Sequence, residues 1–257
     1  MGNSLISKIR QNENVLRYLR KDLYPNLAIL GHLEANANAD IYIFDGDIEN
    51  GIIVGNKDRY FYYLSTHNPN FLREFWEMLP FGEVGFSSVA STVYEAFKNA
   101  CPQAEKPIWS SPCESYVLIG EFTPVQSSEY VTEPLTLEDA EEVDEYHQYR
   151  SEHSIYRVRD SISYRDSACV RINGQLAAWC LVHHEDGSLG PIYTKEEFRR
   201  RGLAELVSSA LKEKLISKNI LPFMNIVETN KASLELIKRF PGFKHTHDCI
   251  WFGLDKK

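Results

Sequence analysis

Apolar and polar positions divide the 257 residues into two stretches of unequal legibility. In the second stretch, Leu203, Leu206, Val207, Ala210, Leu211 and Leu215 recur at helical spacing and predict an amphipathic helix over Leu203–Ser217. Upstream of it, residues 168–172 and 175–182 read as strands. Asn173-Gly174 between them supplies the positive φ angles that a two-residue type I′ turn demands. Residues 187–194 form the next strand, entered through Glu185-Asp186-Gly187. A strand over residues 223–227, a helix over residues 231–240 capped by Asn230, and a strand over residues 243–254 complete the chain. Ahead of the hairpin, residues 137–149 read as an acidic helix with Thr136 as N-cap and Asp139 three residues on, and residues 151–163 as a second helix.

The first stretch is less periodic. Helices are expected over residues 15–23 and 71–79, the latter with Leu72, Phe75, Trp76 and Leu79 on one face. Strands are expected over residues 41–44, 52–54, 60–64 and 116–119, with a turn at Asp45-Gly46-Asp47. Residues 122–136 carry two prolines and little period, so they read as a linker. The division places an N-terminal α/β domain at residues 1–125 and a second domain at residues 126–257.

Composition narrows the function classes. The chain is 43% hydrophobic and 25% charged, as expected of a globular protein, and its net charge of −8 argues against general nucleic-acid binding. No apolar run approaches the ~18 residues of a membrane helix. Residues 161–257 hold 15 Lys and Arg against 11 Asp and Glu, a cationic segment in an acidic chain that suits a polyanionic small ligand. The five cysteines are widely spaced and form no C-x-x-C pair, so no metal site is expected. Cys169 and Cys180 fall in strands and are expected in the core. This usage fits a reducing compartment, cytoplasmic or mitochondrial. Near the start, Ile6 stands where a myristoylation motif wants Ser or Thr. Glu13 and Asp22 interrupt the basic residues Lys8, Arg10, Arg17, Arg20 and Lys21, which favours a folded surface helix over a transit segment.

Candidate chemistry concentrates between Ile192 and Glu205. A strand ending at Ile192-Tyr193-Thr194 runs into a charged turn, and Arg199, Arg200 and Arg201 lead to Gly202-Leu203-Ala204. A strand entering a Gly-containing turn that opens a helix is suited to phosphate. Backbone N–H groups converge there, the helix N-terminus is partly positive, and arginines add bidentate charge recognition. No Gly-Lys-Ser/Thr follows, so the turn is not a nucleotide P-loop.

This turn resembles the pyrophosphate-binding turn of the GCN5-related N-acetyltransferase (GNAT) superfamily. Residues 151–254 further resemble the acyltransferase domain of glycine N-acyltransferase-like and FR47-like proteins. The cues are Ala178-Trp179-Cys180-Leu181, Leu189-Gly190-Pro191-Ile192-Tyr193-Thr194, Glu197-Phe198 with the arginines, Glu228-Thr229-Asn230-Lys231-Ala232-Ser233 and Gly242-Phe243. The resemblance implies an α+β fold with a mixed central sheet flanked by helices, the N-terminal half being a degenerate α/β domain of the same family. It also implies acetyl-CoA or another acyl-CoA as co-substrate. Two neighbouring strands would splay apart, so that the backbone of Ile192, Tyr193 and Thr194 bonds the pantetheine amides. The N–H groups of Arg200, Arg201, Gly202, Leu203, Ala204 and Glu205 would hold the diphosphate, and Asn230 would contact the pantetheine or acyl end.

The chain departs from the family where proton transfer is concerned. Ser188 stands where many members place a glutamate base, and Ile237 where many place a tyrosine acid. Ser188 is too weak a base to act alone but can hold a water. Of the substitutes Glu228, His183, His184, Glu185 and Asp186, Glu228 is the first choice. His183 and His184 are adjacent and should point to opposite faces. The expected activity is acylation of a small amine, an amino acid such as glycine being suggested by the resemblance. The alternatives are an acyl-CoA-binding regulatory protein and a peptide N-acetyltransferase.

Overall fold

The computed structural model describes residues 5–56, 61–104, 106–240 and 242–257. The chain divides into two compact units. One comprises Met1–Tyr116, Asn225–Arg239 and His245–Lys257, the other Val117–Met224 and Phe240–Lys244.

The first unit holds strands β1 (Ile6–Ile9), β2 (Asp40–Phe44), β3 (Ile52–Asn56), β4 (Phe61–Ser65) and β5 (Gly82–Ala90), and helices α1 (Glu13–Lys21), α2 (Leu27–Ala35), α3 (Pro69–Met78) and α4 (Ser91–Ala100). β6 (Trp109–Leu118) follows. Later in the chain come α5 (Ala140–Glu145), α6 (Ser154–Tyr164), β7 (Ser167–Ile172), β8 (Gln175–Val182), β9 (Leu189–Thr194), α7 (Leu203–Ser217), β10 (Phe223–Val227), α8 (Lys231–Ile237) and β11 (Phe243–Lys256). Eight strands form one sheet in the order β1-β2-β3-β4-β5-β11-β6-β10, and β7-β8-β9 form a second sheet. The large sheet is mixed: β1 to β4 form an antiparallel meander, β4 and β5 are parallel, and β5 and β11 are antiparallel.

Local sequence explains the element ends. Asn12 caps α1 by accepting the N–H groups of Asn14 and Val15, and the helix buries Val15 and Leu19 four residues apart. Asn68 and Pro69 start α3, which buries Phe71, Leu72, Phe75 and Trp76. At its other end, Lys256 Nζ donates to the carbonyls of Trp76, Glu77 and Leu79 at 2.6–2.7 Å, so the last residues of β11 satisfy a helix terminus. Rings from β5, α4 and β11 pack the first core, with Phe86 stacked on Phe252 at 4.7 Å and Phe97 5.4 Å from Phe86.

Four elements were not foreseen. β5 has no alternation because it is buried from Val84 to Ala90 on both faces. Its Gly85 is required, since a Cβ there would lie 2.3 Å from the Phe61 ring. Its Ser88 has φ +51°, and its hydroxyl accepts from Asn225 Nδ2 at 3.0 Å and Trp251 Nε1 at 2.9 Å. α2 is apolar around most of its circumference, β1 is short, and α4 lacks a side-chain cap. Tyr60 lies outside the described residues.

In the second unit the Asn173-Gly174 turn has φ +52° and +79°, as the type I′ reading requires. The capping box at Thr136 and Asp139 is present. Arg171 makes two 2.7 Å contacts with the Asp139 carboxylate and a 2.6 Å contact with Glu133. Burial alone would raise the Asp139 carboxyl, but hydrogen bonds from Arg171 and Thr136 outweigh it and hold the group below its ordinary range. The acidic helix is shorter than expected. It ends at Glu145, and the ring of Tyr146, just beyond it, packs on Trp179 and Tyr193, 5.8 and 4.9 Å between ring centres. α7 spans the residues foreseen, but it also buries Ser208, Ser209 and Lys212. α8 stops at Ile237, short of residue 240.

Lys212 is 2% exposed, and its ammonium lies over Phe240 at 3.4 Å, with Phe122 and Phe243 at 5.3 and 5.5 Å. Burial lowers it from 10.5 to about 8. Below that pH the folded chain carries a buried ammonium. Between about 8 and 10.5 the folded state sheds a proton that the unfolded state keeps, so this residue's contribution to stability rises with pH across that window. Lys212→Met is therefore expected to raise the melting temperature at pH 7 and to remove its share of the alkaline gain. Thermal denaturation at a series of pH values checks this, and parallel wild-type and variant curves would contradict it.

Candidate functional site

β9 pairs with β8 along one edge, with Thr194 opposite Ala178, Tyr193 opposite Trp179 and Ile192 opposite Cys180. It is the outermost strand of its sheet, so no strand ladder uses its other edge. β10 is likewise the outermost strand of the large sheet. Behind β9, Tyr193 packs on Trp179 at 5.1 Å, which fixes the strand against the core. Lys195, just past its end, is buried and ion-paired with Glu142. Thr194 Oγ1 is buried without a hydrogen-bond partner among the described residues.

The turn after β9 is built by its own arginines. Arg199 Nε donates to the Thr194 carbonyl at 3.1 Å and Nη1 contacts Glu196 at 3.2 Å, tying the turn to the strand end. Arg201 Nη2 donates to the Glu197 carbonyl at 3.4 Å, and its guanidinium lies 5.6 Å from the Phe198 ring. Arg200 adopts φ +65°, uncommon for a side chain with a Cβ, and Gly202 follows at φ +73°. Left-handed residues within a turn are a feature of backbone concavities that bind anions. Arg200, Arg201 and Gly202 are exposed, and a Cβ built on Gly202 would meet nothing within 4 Å. α7 opens at Gly202 with no side-chain cap. Leu203, Ala204 and Glu205 occupy its first turn, where backbone N–H groups have no partner within the helix. The turn is thus open, cationic and provided with backbone donors, which fits a diphosphate.

The head of β9 is shaped differently. Asp186 Oδ1 accepts both the N–H and the hydroxyl of buried Ser188, at 2.9 and 2.7 Å. Ser188 therefore has its proton committed, and its oxygen can only accept. The backbone closes around this pair, with His183 N–H on the Ser188 carbonyl at 2.8 Å and Gly187 N–H on the His183 carbonyl at 2.9 Å. Gly190 has φ +145°, and a Cβ there would come 3.1 Å from His183 Nε2. Only glycine lets the imidazole lie on the strand at this point. The neighbouring His184 ring instead faces Tyr164 at 5.1 Å, so the adjacent histidines do diverge.

Ser188, Ile192, Tyr193, Thr194 and the residues from Arg199 to Glu205 thus lie in one compact unit, along one strand and the turn that follows it. Glu228 and Asn230 belong to the other unit, in the turn after β10. Glu228 is exposed, and Asn230 Oδ1 accepts the Ser233 N–H at 3.1 Å as the cap of α8. The sequence did not single out Asp186 as the partner of Ser188, although the Asp-Gly-Ser spacing suits such a turn. All five cysteines are free and buried. Burial pushes the Cys101 and Cys180 thiols to about 12 and Cys169 to about 11, which suits core packing rather than nucleophilic work. Among the described residues no cluster of His, Cys, Asp and Glu is arranged to hold a metal ion. No helix among them is long and apolar enough to cross a membrane.

Residues 168–252 match the family model described as FR47-like protein. No match was found among curated proteins. Among solved structures, an X-ray structure of a Drosophila protein is similar over 98% of this chain and 99% of its own, with a TM-score of 0.79 and 18% identity. A GCN5-related N-acetyltransferase-like protein from Streptococcus suis aligns over 93% of this chain and 99% of its own, at TM-score 0.55 and 12% identity. A GCN5-related N-acetyltransferase from Sphaerobacter thermophilus aligns over 98% and 96%, at TM-score 0.52 and 11% identity. The chain therefore carries an FR47-like domain within a GNAT fold, a mixed α+β architecture matched over nearly its whole length.

Asp186→Ala would strand two buried donors of Ser188 and is expected to cost about 1–3 kcal/mol in urea unfolding. Asp186→Asn keeps an acceptor oxygen and should cost less. Equal losses in the two variants would show that the shared acceptor is not what matters.

Proposed function

We propose that this chain, an FR47-like domain on a GNAT fold, is an acyl-CoA-dependent N-acyltransferase whose acceptor is the amine of a small molecule. The observation that carries the reading is the exposed Arg199–Gly202 turn, which joins an edge strand to an uncapped fifteen-residue helix. Bound acyl-CoA would supply the activated carbonyl, as a thioester.

The chain's own residues then have distinct tasks. Backbone N–H groups from Arg200 to Glu205 hold the diphosphate with the guanidinium of Arg200, which has no ion-pair partner among the described residues. Arg199 and Arg201 act chiefly by shaping the turn, since part of each guanidinium is bonded to the chain itself. The free edge of Ile192, Tyr193 and Thr194 bonds the pantetheine amides as an added strand would. Thr194 Oγ1 gains the partner it lacks. An amino acid is the acceptor that the family likeness favours. One observation supports a second reading, that of an acyl-CoA-binding protein without turnover: the position expected to hold a phenol is Ile237, buried at 5% exposure.

Incubation with acetyl-CoA and longer acyl-CoAs against a panel of amino acids and peptides is expected to release free thiol above background with at least one free amine. Calorimetric CoA binding without thiol release for any acceptor would favour the second reading. Acetylation of peptides but not of free amino acids would reassign the acceptor. Arg200→Gly keeps the left-handed backbone and removes only the side chain. Loss of one charge-assisted contact, worth about 1.5–3 kcal/mol, should weaken CoA binding by roughly 10- to 150-fold. An unchanged dissociation constant would remove this arginine from the diphosphate site.

A further inference from the structure

With the expected glutamate replaced by Ser188, whose proton is held by Asp186, the site needs another group to take a proton from the attacking amine. We infer that His183 is that group. The inference rests on the acyltransferase reading above, and it follows from the direction of β9. If the diphosphate sits on the turn after Thr194, the arm that follows it along the free edge runs toward the head of the strand. Four residue steps of about 3.3 Å each, roughly 13 Å, lead from Thr194 to Gly190. There the imidazole of His183 lies on the glycine backbone, half-buried, with Nε2 3.1 Å from the position a side chain would take. Its ring nitrogens have no hydrogen-bond partner among the described residues.

The other candidates are otherwise engaged. His147 Nδ1 accepts the Tyr149 N–H at 3.1 Å, so that lone pair is in use. The His184 ring packs toward Tyr164. Glu228 is exposed, where water competes for its carboxylate. Burial, together with the charges of His183 and Arg157, pushes His147 down, while Asp144 pushes it up. Asp186 stands in the same turn as His183, bonded to Ser188.

In the step itself the amine nitrogen bonds to the thioester carbonyl carbon, and the carbon–sulfur bond breaks with its electron pair remaining on sulfur. The proton that nitrogen gives up goes to His183 Nε2, which returns it to the departing thiolate. Acceptor and thioester thus become amide and free thiol with nothing left over.

The test compares wild type, His183→Gln, His183→Asn and Glu228→Gln, with CoA affinity measured by calorimetry for each. Loss of a general base is expected to lower kcat by about 10²- to 10⁴-fold. CoA affinity should be unchanged, the acid limb of the kcat–pH profile should disappear, and added imidazole should restore part of the turnover. Glu228→Gln should keep kcat within a few-fold. An active wild type with both His183 variants equally active, or with Glu228→Gln as the inactive one, overturns the assignment to His183 alone. A wild type that binds CoA but transfers to no amine overturns the acyltransferase reading and this inference with it. Lost turnover without imidazole rescue, or with CoA affinity lost as well, makes His183 structural and also overturns the assignment.

Discussion

A β-strand has two hydrogen-bonding edges, and β9 uses only one. β8 satisfies the inner edge, and no strand of its sheet lies beyond the outer one. Unpaired main-chain groups on a strand are costly when buried and sticky when exposed, so chains usually cover or disrupt them. Here the strand is instead held rigidly in place. Tyr193 is locked between Trp179 and Tyr146, Lys195 is pinned by Glu142, and Arg199 clasps the Thr194 carbonyl. The edge is therefore a fixed row of donors and acceptors, ready for a ligand with amides of its own.

The two ends of that strand are made chemically different by backbone conformation. Beyond Thr194, the chain passes through positive φ at Arg200 and Gly202 and opens α7 without a side-chain cap, leaving an exposed, cationic turn at a helix N-terminus. Before Ile192, Gly190 and the Asp186–Ser188 turn bring the His183 imidazole onto the strand while burying a serine hydroxyl. An anion-binding end and an end bearing an ionisable ring, one strand length apart, suit a long ligand with a diphosphate at one end and a reactive carbonyl at the other.

Stability and site share elements. α7 offers its N-terminus to solvent, while the same helix buries Lys212 among three phenylalanine rings. It also ties down the segment before α5 through Ser209 and the edge of β7 through Lys214. A helix anchored at so many points keeps its first turn fixed relative to β9, as recognition of a diphosphate requires.

The sequence by itself determined the parts governed by local rules. The Asn-Gly hairpin, the Thr136–Asp139 cap, the full length of α7 and the arginine turn each follow from turn chemistry or from an apolar period, and all are present. It failed where burial on both faces erased the period, as in β5 and α2. It also overran the acidic helix, which ends at Glu145 where the Tyr146 ring meets Trp179 and Tyr193 from distant strands. Only the tertiary structure decided that residues 225–239 and 245–257 pack with the N-terminal unit, that β9 closes its sheet, and that His183 rests on Gly190 while His184 turns away. Those outcomes depend on contacts between residues far apart in the chain, and a one-dimensional pattern carries no record of which strand edge is left without a neighbour.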